Sequence, residues 1–271
     1  MNFRDFTYRH PIFRTDELVP ALGKDQPARG VNRPGSRHAL LSYHVSSGHI
    51  LPVRKGLYWT VPPGMSPDNC PVDEFLVASK LTGDAILSHH AALSLHGCAY
   101  SAWNVVTYLT ADKNVRSLRF RNIEYKPVAH PIELRKKKQL DWGVTTQDRL
   151  GINIRLTNLE RTCVDVLHRP ELAGGFEEIW RSLEAAPYLN LDKVVEYALL
   201  LDSANTNARL GFFLEQHKEK FSVKKLHLDP LRLHKPSVPR KMSVATSKGI
   251  LVREWNLVVP ADVYNRSWEE F

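Results

Sequence analysis

The sequence predicts an α+β protein: an N-terminal winged helix-turn-helix followed by a mixed α+β domain that ends in helices. Residues 36–64 combine a short helix, a Ser-Ser-Gly stop and a tight basic hairpin. Segments rich in β-branched and aromatic residues lie before residue 158, and segments of helical periodicity follow it. Strands that precede helices without regular alternation indicate α+β rather than α/β.

The first predicted helix covers residues 13–23. Thr15 is its candidate N-cap, and Asp16 and Glu17 place negative charge in the first turn, where the helix dipole favours it. Pro20 removes a backbone hydrogen bond, so we expect this helix to be short or bent.

A second helix is predicted over residues 37–47. Ser36 can cap this helix at its beginning. Three of its side chains are expected to face the core: Leu40, Leu41 and Tyr43.

The hairpin that follows turns at Arg54-Lys55-Gly56. Its second strand alternates buried and wet positions, with Leu57, Trp59 and Val61 on the buried face. A helix followed at once by a basic hairpin is typical of a winged helix-turn-helix. In that motif the helix enters the major groove and the hairpin cations meet flanking phosphates.

The domain boundary is predicted in the stretch PPGMSPDNCP, which has the Pro, Gly and Asn content of a linker. We therefore assign residues 1–64 to a DNA-binding domain, 65–72 to a linker and 73–271 to a C-terminal domain. In the C-terminal domain, the patterns predict helices over 73–81 and 88–97, strands over 104–111 and 119–128, a hairpin over 143–157 turning at 148–151, and helices over 176–183, 191–201 and 208–217.

Composition and charge limit the classes of protein. The 271 residues are 43% hydrophobic and 24% charged, as in an ordinary soluble globular protein with room for two cores. The net charge is +8, and residues 1–62 carry nine Lys/Arg against four Asp/Glu, which favours a polyanionic partner. The three cysteines form no CxxC or Cys/His pair, so we expect no disulfide framework, no bound metal and no cofactor.

Nothing in the sequence predicts export or membrane insertion. The first residues, MNFRDFTYRHPIF, lack the apolar core of a signal peptide. No apolar run approaches the length that spans a bilayer. We therefore expect a cytoplasmic protein with reduced cysteines.

One pattern could carry catalysis. Asp112 precedes Glu124 and Lys126, which lie two apart on a predicted strand. Some metal-dependent nucleases hold a divalent cation with such carboxylates, beside a lysine that stabilises charge at the scissile phosphate. The alternative is a strand with solvated charges, and it is the one we favour.

Two further clusters have structural alternatives. His89, His90 and His96 cannot all meet at one ion, because adjacent helical residues point to different sides; core or capping roles fit them better. The run Arg135-Lys136-Lys137-Lys138 could grip phosphate or could be a solvated loop.

Several segments resemble the AbiEi family of bacterial antitoxins and viral-defence regulators of type IV toxin–antitoxin systems. The matching residues are FRTDELVPALG, SSGHILPVRKGLYWTVP, DEFLVASKLTGDAILSHHAALSLHG and GINIRLTNLERTCVDVLHRPELAGGFEEIWRSLE. The block AILSHHAALSLHG, followed some sixty residues on by IRLTNLERTCVDVL, is the most specific part. The resemblance covers most of residues 13–217.

That family implies an N-terminal winged helix-turn-helix that represses its own operon and a C-terminal domain that neutralises a toxin. The toxin is a nucleotidyltransferase-like protein, and family members are usually thought to counter it without a stable complex. The antitoxin is not regarded as an enzyme. The expected partners are therefore double-stranded operator DNA and such a toxin, whose direct contact stays open.

The working hypothesis assigns two groups of DNA-binding residues. Side chains of the second helix would read base edges: Arg37, His38, Ser42 and His44. Cations of the wing and of the preceding loop would hold phosphates: Arg54, Lys55, Arg29 and Arg33. Two rivals remain, the nuclease and a DNA-binding regulator whose C-terminal domain senses a ligand and has no toxin partner.

Overall fold

The computed structural model describes residues 2–22, 34–243 and 249–269, and it has the mixed α+β architecture expected from the sequence. The first part of the chain contains α1 (Phe3–Arg9), β1 (Ile12–Arg14), α2 (Thr15–Leu22), α3 (Pro34–Ser46), β2 (Ile50–Arg54) and β3 (Leu57–Thr60). Its three strands form an antiparallel sheet in the order β1-β3-β2. The hairpin turns at residues 55–56, as predicted, and Leu57, Trp59 and Val61 are buried.

A small apolar core joins the helices of this part to its sheet. Phe6 of α1, Phe13 of β1 and Leu18 of α2 are almost completely buried and pack with Leu41 of α3 and Ile50 of β2. The core therefore fixes how α3 lies against the sheet. The prediction that Tyr43 faces inward is wrong, because Leu41 faces this core and its near neighbour Tyr43, two helical positions on, is 62% exposed.

The central part is built on a six-stranded mixed sheet. Its elements are α4 (Glu74–Leu81), β4 (Ile86–Leu87), α5 (His90–Leu95), β5 (Val105–Thr110), β6 (Leu118–Phe120), β7 (Ile123–Ala129), α6 (Ile132–Lys136), β8 (Val144–Arg149) and β9 (Ile152–Thr157). The strand order is β6-β7-β5-β4-β9-β8. The pairs β5–β7 and β4–β9 are parallel, and the other neighbours are antiparallel.

The hairpin predicted over 143–157 is confirmed, whereas the single strand predicted over 119–128 is a second hairpin. Phe120 of β6 lies opposite Ile123 of β7, with Arg121 and Asn122 in the turn. Arg121 adopts φ = 54°, which reverses the chain within two residues. The apolar spacing of this stretch continues through the turn, so the pattern alone does not reveal it.

Helices dominate the rest of the chain: α7 (Leu159–His168), α8 (Phe176–Glu184), α9 (Leu191–Leu200), α10 (Ala204–Gln216), α11 (Lys225–Leu233) and α12 (Ala261–Asn265). A three-stranded sheet in the order β10-β12-β11 lies beside them, made of β10 (Arg240–Lys241), β11 (Gly249–Val252) and β12 (Leu257–Pro260). These helices and this sheet share one large apolar cluster in which Trp180 and Trp255 are fully buried.

The first and central parts share an apolar cluster. Ile12 and Trp59 of the small sheet pack with Leu76 and Val77 of α4. Polar contacts follow the same seam. The guanidinium of Arg14 donates to the carbonyl of Lys80 at 2.8 Å, and that of Arg54 donates to the carbonyl of Leu81. Within residues 2–22, 34–243 and 249–269, no helix has both the length and the apolar character needed to cross a membrane.

Candidate functional site

The outward face of α3 is polar and almost uncharged. Leu41 anchors the inward face of the helix, so the residues on the other side are free to contact a partner. Among the α3 side chains that the structure describes, the exposed ones are Ser36, His38, Ala39, Ser42, Tyr43 and Ser46. His38 and Ser42 were predicted to read bases, whereas Tyr43 was missed because its apolar ring suggested a core position.

Arg37 and His44, also predicted as base-reading residues, lie at the edge of the inward side and are half-buried. The His44 ring stacks on Phe3 with centroids 3.9 Å apart, and its Nδ1 lies 3.1 Å from His49 Nδ1. Burial lowers the pKa of His44, and the neighbouring His49 lowers it further. The structure thus separates exposed His38 and Ser42 from inward-leaning Arg37 and His44.

The wing residues differ from one another. Lys55 is exposed and makes no ion pair with any described residue. Arg54 is also exposed, but its guanidinium donates a hydrogen bond to the carbonyl of Leu81. The carbonyl of Gly56 accepts from the backbone N–H of Thr15 at 3.0 Å. The wing turn therefore lies against α2 and the end of α4, at one wall of a cleft of about 980 Å³.

Arg29 and Arg33, predicted to hold phosphates, lie outside the described residues. Other cations of the first part were missed. Arg4 and Arg9 of α1 are exposed, and Phe3 brings the beginning of α1 against α3. The sequence does contain a start signal for α1, because Asn is a favourable N-cap residue. In the structure Asn2 caps α1 by accepting from the N–H of Asp5 at 2.8 Å.

The residues of the nuclease alternative do not come together. Glu124 lies opposite Val105, the first residue of β5, and forms a 3.5 Å ion pair with Arg119. Asp112 follows the other end of β5, so about seven residues, or roughly 23 Å of strand, separate the two carboxylates. They cannot hold one cation. Among the residues placed by the structure, no three His, Cys, Asp or Glu side chains form a group suited to a metal ion.

His89, His90 and His96 lie in separate environments. His90 Nε2 lies 3.3 Å from Glu178 Oε1, and His96 Nε2 lies 2.8 Å from the carbonyl oxygen of Thr157. Both contacts join α5 to the helical part or to β9, as expected for core and capping histidines. His89 instead lines a cleft on the central sheet.

Comparisons with known proteins identify a fold and no family. No protein-family model matches the chain, and no curated protein matches it in sequence. Among solved structures, the chain is similar to the crystal structure of the RV2827C protein from Mycobacterium tuberculosis. The two are 13% identical, with a TM-score of 0.62 over 96% of this chain and 90% of the other. Likeness at this identity shows a shared overall fold.

Proposed function

We propose that this chain is a DNA-binding transcriptional repressor in which the elements α1 to β3 belong to a winged helix-turn-helix domain. The observation that carries the proposal is the element order α1-β1-α2-α3-β2-β3 with its antiparallel β1-β3-β2 sheet. In a winged helix-turn-helix, the helix before the hairpin is the one that enters the major groove. Here that helix is α3, whose outward face is exposed.

The chemistry of α3 suits the reading of bases. Its 13 residues span about 20 Å, enough to cross several base pairs in the groove. Hydroxyl groups of Ser42 and Tyr43 and the imidazole of His38 can donate to or accept from base edges. Because this face carries no Lys, Arg or acid, most of the electrostatic affinity must come from elsewhere.

Phosphate contacts would come from cations that flank α3. Lys55 of the wing and Arg4 and Arg9 of α1 are exposed and have no ion pair with described residues. Residues 1–62 carry a net charge of +5. Neutralising phosphates with these cations would release counterions and make binding fall with salt.

The second half of the proposal rests on the sequence resemblance. We infer that the protein is not an enzyme and acts as the antitoxin of a nucleotidyltransferase-like toxin, with or without a stable complex. The two most specific matching segments contain α5 and most of α7. Both helices contribute to the core, where Leu93, Val164 and Leu167 are fully buried. Their sequence pattern is therefore also what packing requires, and we assign no toxin-neutralising residue.

Fluorescence anisotropy of the full chain tests the DNA half. The duplex upstream of the gene is compared with a shuffled duplex at several salt concentrations. We expect preference for the upstream duplex, and loss of that preference in Ser42→Ala and Tyr43→Ala. Tyr188→Ala is the matched control, because Tyr188 is 70% exposed and lies between α8 and α9. Equal binding of both duplexes by the unmodified protein contradicts the proposal.

The toxin half has a separate test. Co-expression with the nucleotidyltransferase-like protein encoded next to the gene should restore growth of cells that the toxin arrests. The absence of such a neighbour, together with sequence-preferring DNA binding, would favour the regulator without a toxin. Growth that stays arrested despite co-expression contradicts the antitoxin role.

A further inference from the structure

A second cleft, of about 450 Å³, opens at the end of the central sheet where β5 and β7 finish. Leu109 near the end of β5 and Val128 and Ala129 at the end of β7 line it. The strands β5 and β7 are parallel, so the carboxyl ends of both lie at this end of the sheet. In open α/β sheets, ligands bind in crevices outside the carboxyl ends of parallel strands, and β5 and β7 form such a parallel pair within this mixed sheet. The volume is within the range of small-molecule sites.

Three histidines line this cleft: His89, His130 and His168. His89 and His130 are each only 3% exposed. The Nδ1 atoms of His89 and His168 lie 2.9 Å and 2.7 Å from Ser88 Oγ and Thr206 Oγ1. Nδ1 of His130 is buried and has no hydrogen-bond partner among the residues described. Polar atoms buried without a partner are costly, unless a ligand or water supplies one.

The backbone at His89 is strained. The residue sits between β4 and α5 with φ = 53° and ψ = −128°, a conformation that residues with a Cβ atom rarely adopt. Such conformations cost of order 1–3 kcal/mol and are concentrated at functional sites. The sharp strand-to-helix turn directs the imidazole to the cleft rather than along the helix.

Some of the charged side chains around the cleft form ion pairs with described residues, and others do not. Of the lining acids, Glu133 is paired with Lys136 at 2.8 Å, and Asp165 with buried Arg161 at 3.2 Å. Asp165 also accepts from the hydroxyl of Tyr197 at 2.7 Å. Asp202 is the remaining lining acid. Arg135 is exposed and forms no ion pair with described residues. Arg169 lines the same cleft and forms an ion pair with Glu171 at 3.0 Å.

We propose that this cleft binds a phosphate-bearing small molecule of about nucleotide size. The anionic group would meet Arg135 and Arg169, the imidazoles would hydrogen-bond polar atoms of the molecule, and Leu109 and Val128 would cover its organic part. Guanidinium groups suit phosphate oxygens because they can donate two parallel hydrogen bonds. The site is independent of the DNA-binding proposal.

Isothermal titration calorimetry of the full chain tests it with defined probes. These are the four common nucleoside monophosphates, glucose 6-phosphate, inorganic phosphate and, as an uncharged control, adenosine. We expect at least one organic phosphate to bind with a Kd below about 1 mM, tighter than inorganic phosphate and adenosine. Arg135→Gln should weaken that binding about tenfold, because it removes a charge-assisted contact worth about 1.4 kcal/mol. Arg135 is exposed, so the variant should fold.

Lys218→Gln is the matched control, since it removes one exposed positive charge after α10. His168→Gln tests the imidazole wall and should also weaken binding, with circular dichroism as the check of folding. No binding of any organic phosphate up to 10 times that concentration overturns the proposal. Equal weakening by Arg135→Gln and Lys218→Gln also overturns it, because the effect would then be one of net charge.

Discussion

Lys80 Nζ of α4 donates to Glu17 Oε1 of α2 at 2.5 Å, and Glu17 Oε2 accepts from the backbone N–H of Arg14 at 2.6 Å. Burial alone would raise the pKa of Glu17. The hydrogen bonds from Lys80 and Arg14 outweigh it, so the pKa of Glu17 lies below its ordinary value of 4.5. The carboxylate thus joins the first part of the chain to the central part in its charged form.

Glu17→Gln should lower the free energy of unfolding at pH 7 by about 1 kcal/mol or less, because both side chains are partly exposed. A lowered native pKa gives stability that is complete above pH 4.5 and is lost as pH falls through the native value. Urea unfolding between pH 7 and pH 3 should therefore show a flatter decline for the variant. Glu219→Gln, at an exposed position, should leave the profile unchanged; an unchanged profile for Glu17→Gln would contradict the assignment.

The two wing cations should have different effects. Lys55→Gln should reduce the slope of log affinity against log salt by about one unit, since one phosphate contact is lost, and leave thermal stability unchanged. Arg54→Gln should instead cost about 1 kcal/mol of stability, because its guanidinium holds the carbonyl of Leu81. Anisotropy titrations and thermal melts of both variants separate the two effects. Identical behaviour of the two variants would show that the wing is not held in this way.

His89 should make the fold sensitive to mild acid. Burial is the main cause that lowers the pKa of His89 to about 4, and Arg169 and Arg161 add to it against the opposing effect of Asp165. A lowered histidine pKa means that the unfolded chain takes up a proton first as pH falls below 6.5. The native state then loses about 2 kcal/mol by pH 5 from this residue.

His89→Gly removes that contribution and relieves the positive φ, which glycine tolerates. Urea unfolding at pH 7 and at pH 5 should show a smaller loss for His89→Gly than for the unmodified chain. His38→Gln, at an exposed position on α3, should keep the full loss. The same loss in all three proteins would show that His89 is not kept neutral by burial.

Gly211 of α10 allows Trp255 to pack directly on the helix. A Cβ atom built at position 211 would lie 2.1 Å from the Trp255 ring, too close for either group to stay in place. Gly211→Ala should therefore destabilise the protein by about 3 kcal/mol through overpacking. Gly83→Ala is the matched control, because the nearest atom there is 4.0 Å away. Thermal unfolding that is equal for both variants would contradict this packing.

Local patterns in the sequence predicted much of the local structure. The turns at residues 55–56 and 150–151 carry glycine at positive φ, a requirement that is visible in the sequence. The amphipathic helices α8, α9 and α10 were predicted by their apolar spacing. Tyr43 and the hairpin at Arg121 were missed, since an apolar ring can face water and a turn without glycine gives a weak signal.

The candidate sites depended more on tertiary contacts. Exposure of His38 and Ser42 follows from the periodicity of α3, but the contact of Arg54 with Leu81 joins residues 27 positions apart in the chain. The parallel pairing of β5 and β7, which separates Asp112 from Glu124 and opens the second cleft, leaves no local pattern. Long-range pairing of this kind is set by how whole elements pack, so single motifs could not predict it.

The apolar cluster shared by the small sheet and α4 has a consequence for dissecting the protein. A chain that began at residue 65 would lose Ile12, Trp59 and Val61, and would leave Leu76 and Val77 facing water. Newly exposed apolar surface promotes aggregation. A deletion of this kind would therefore confuse loss of DNA binding with loss of solubility, and single substitutions on the exposed face of α3 are the cleaner way to ask what the first sixty residues contribute.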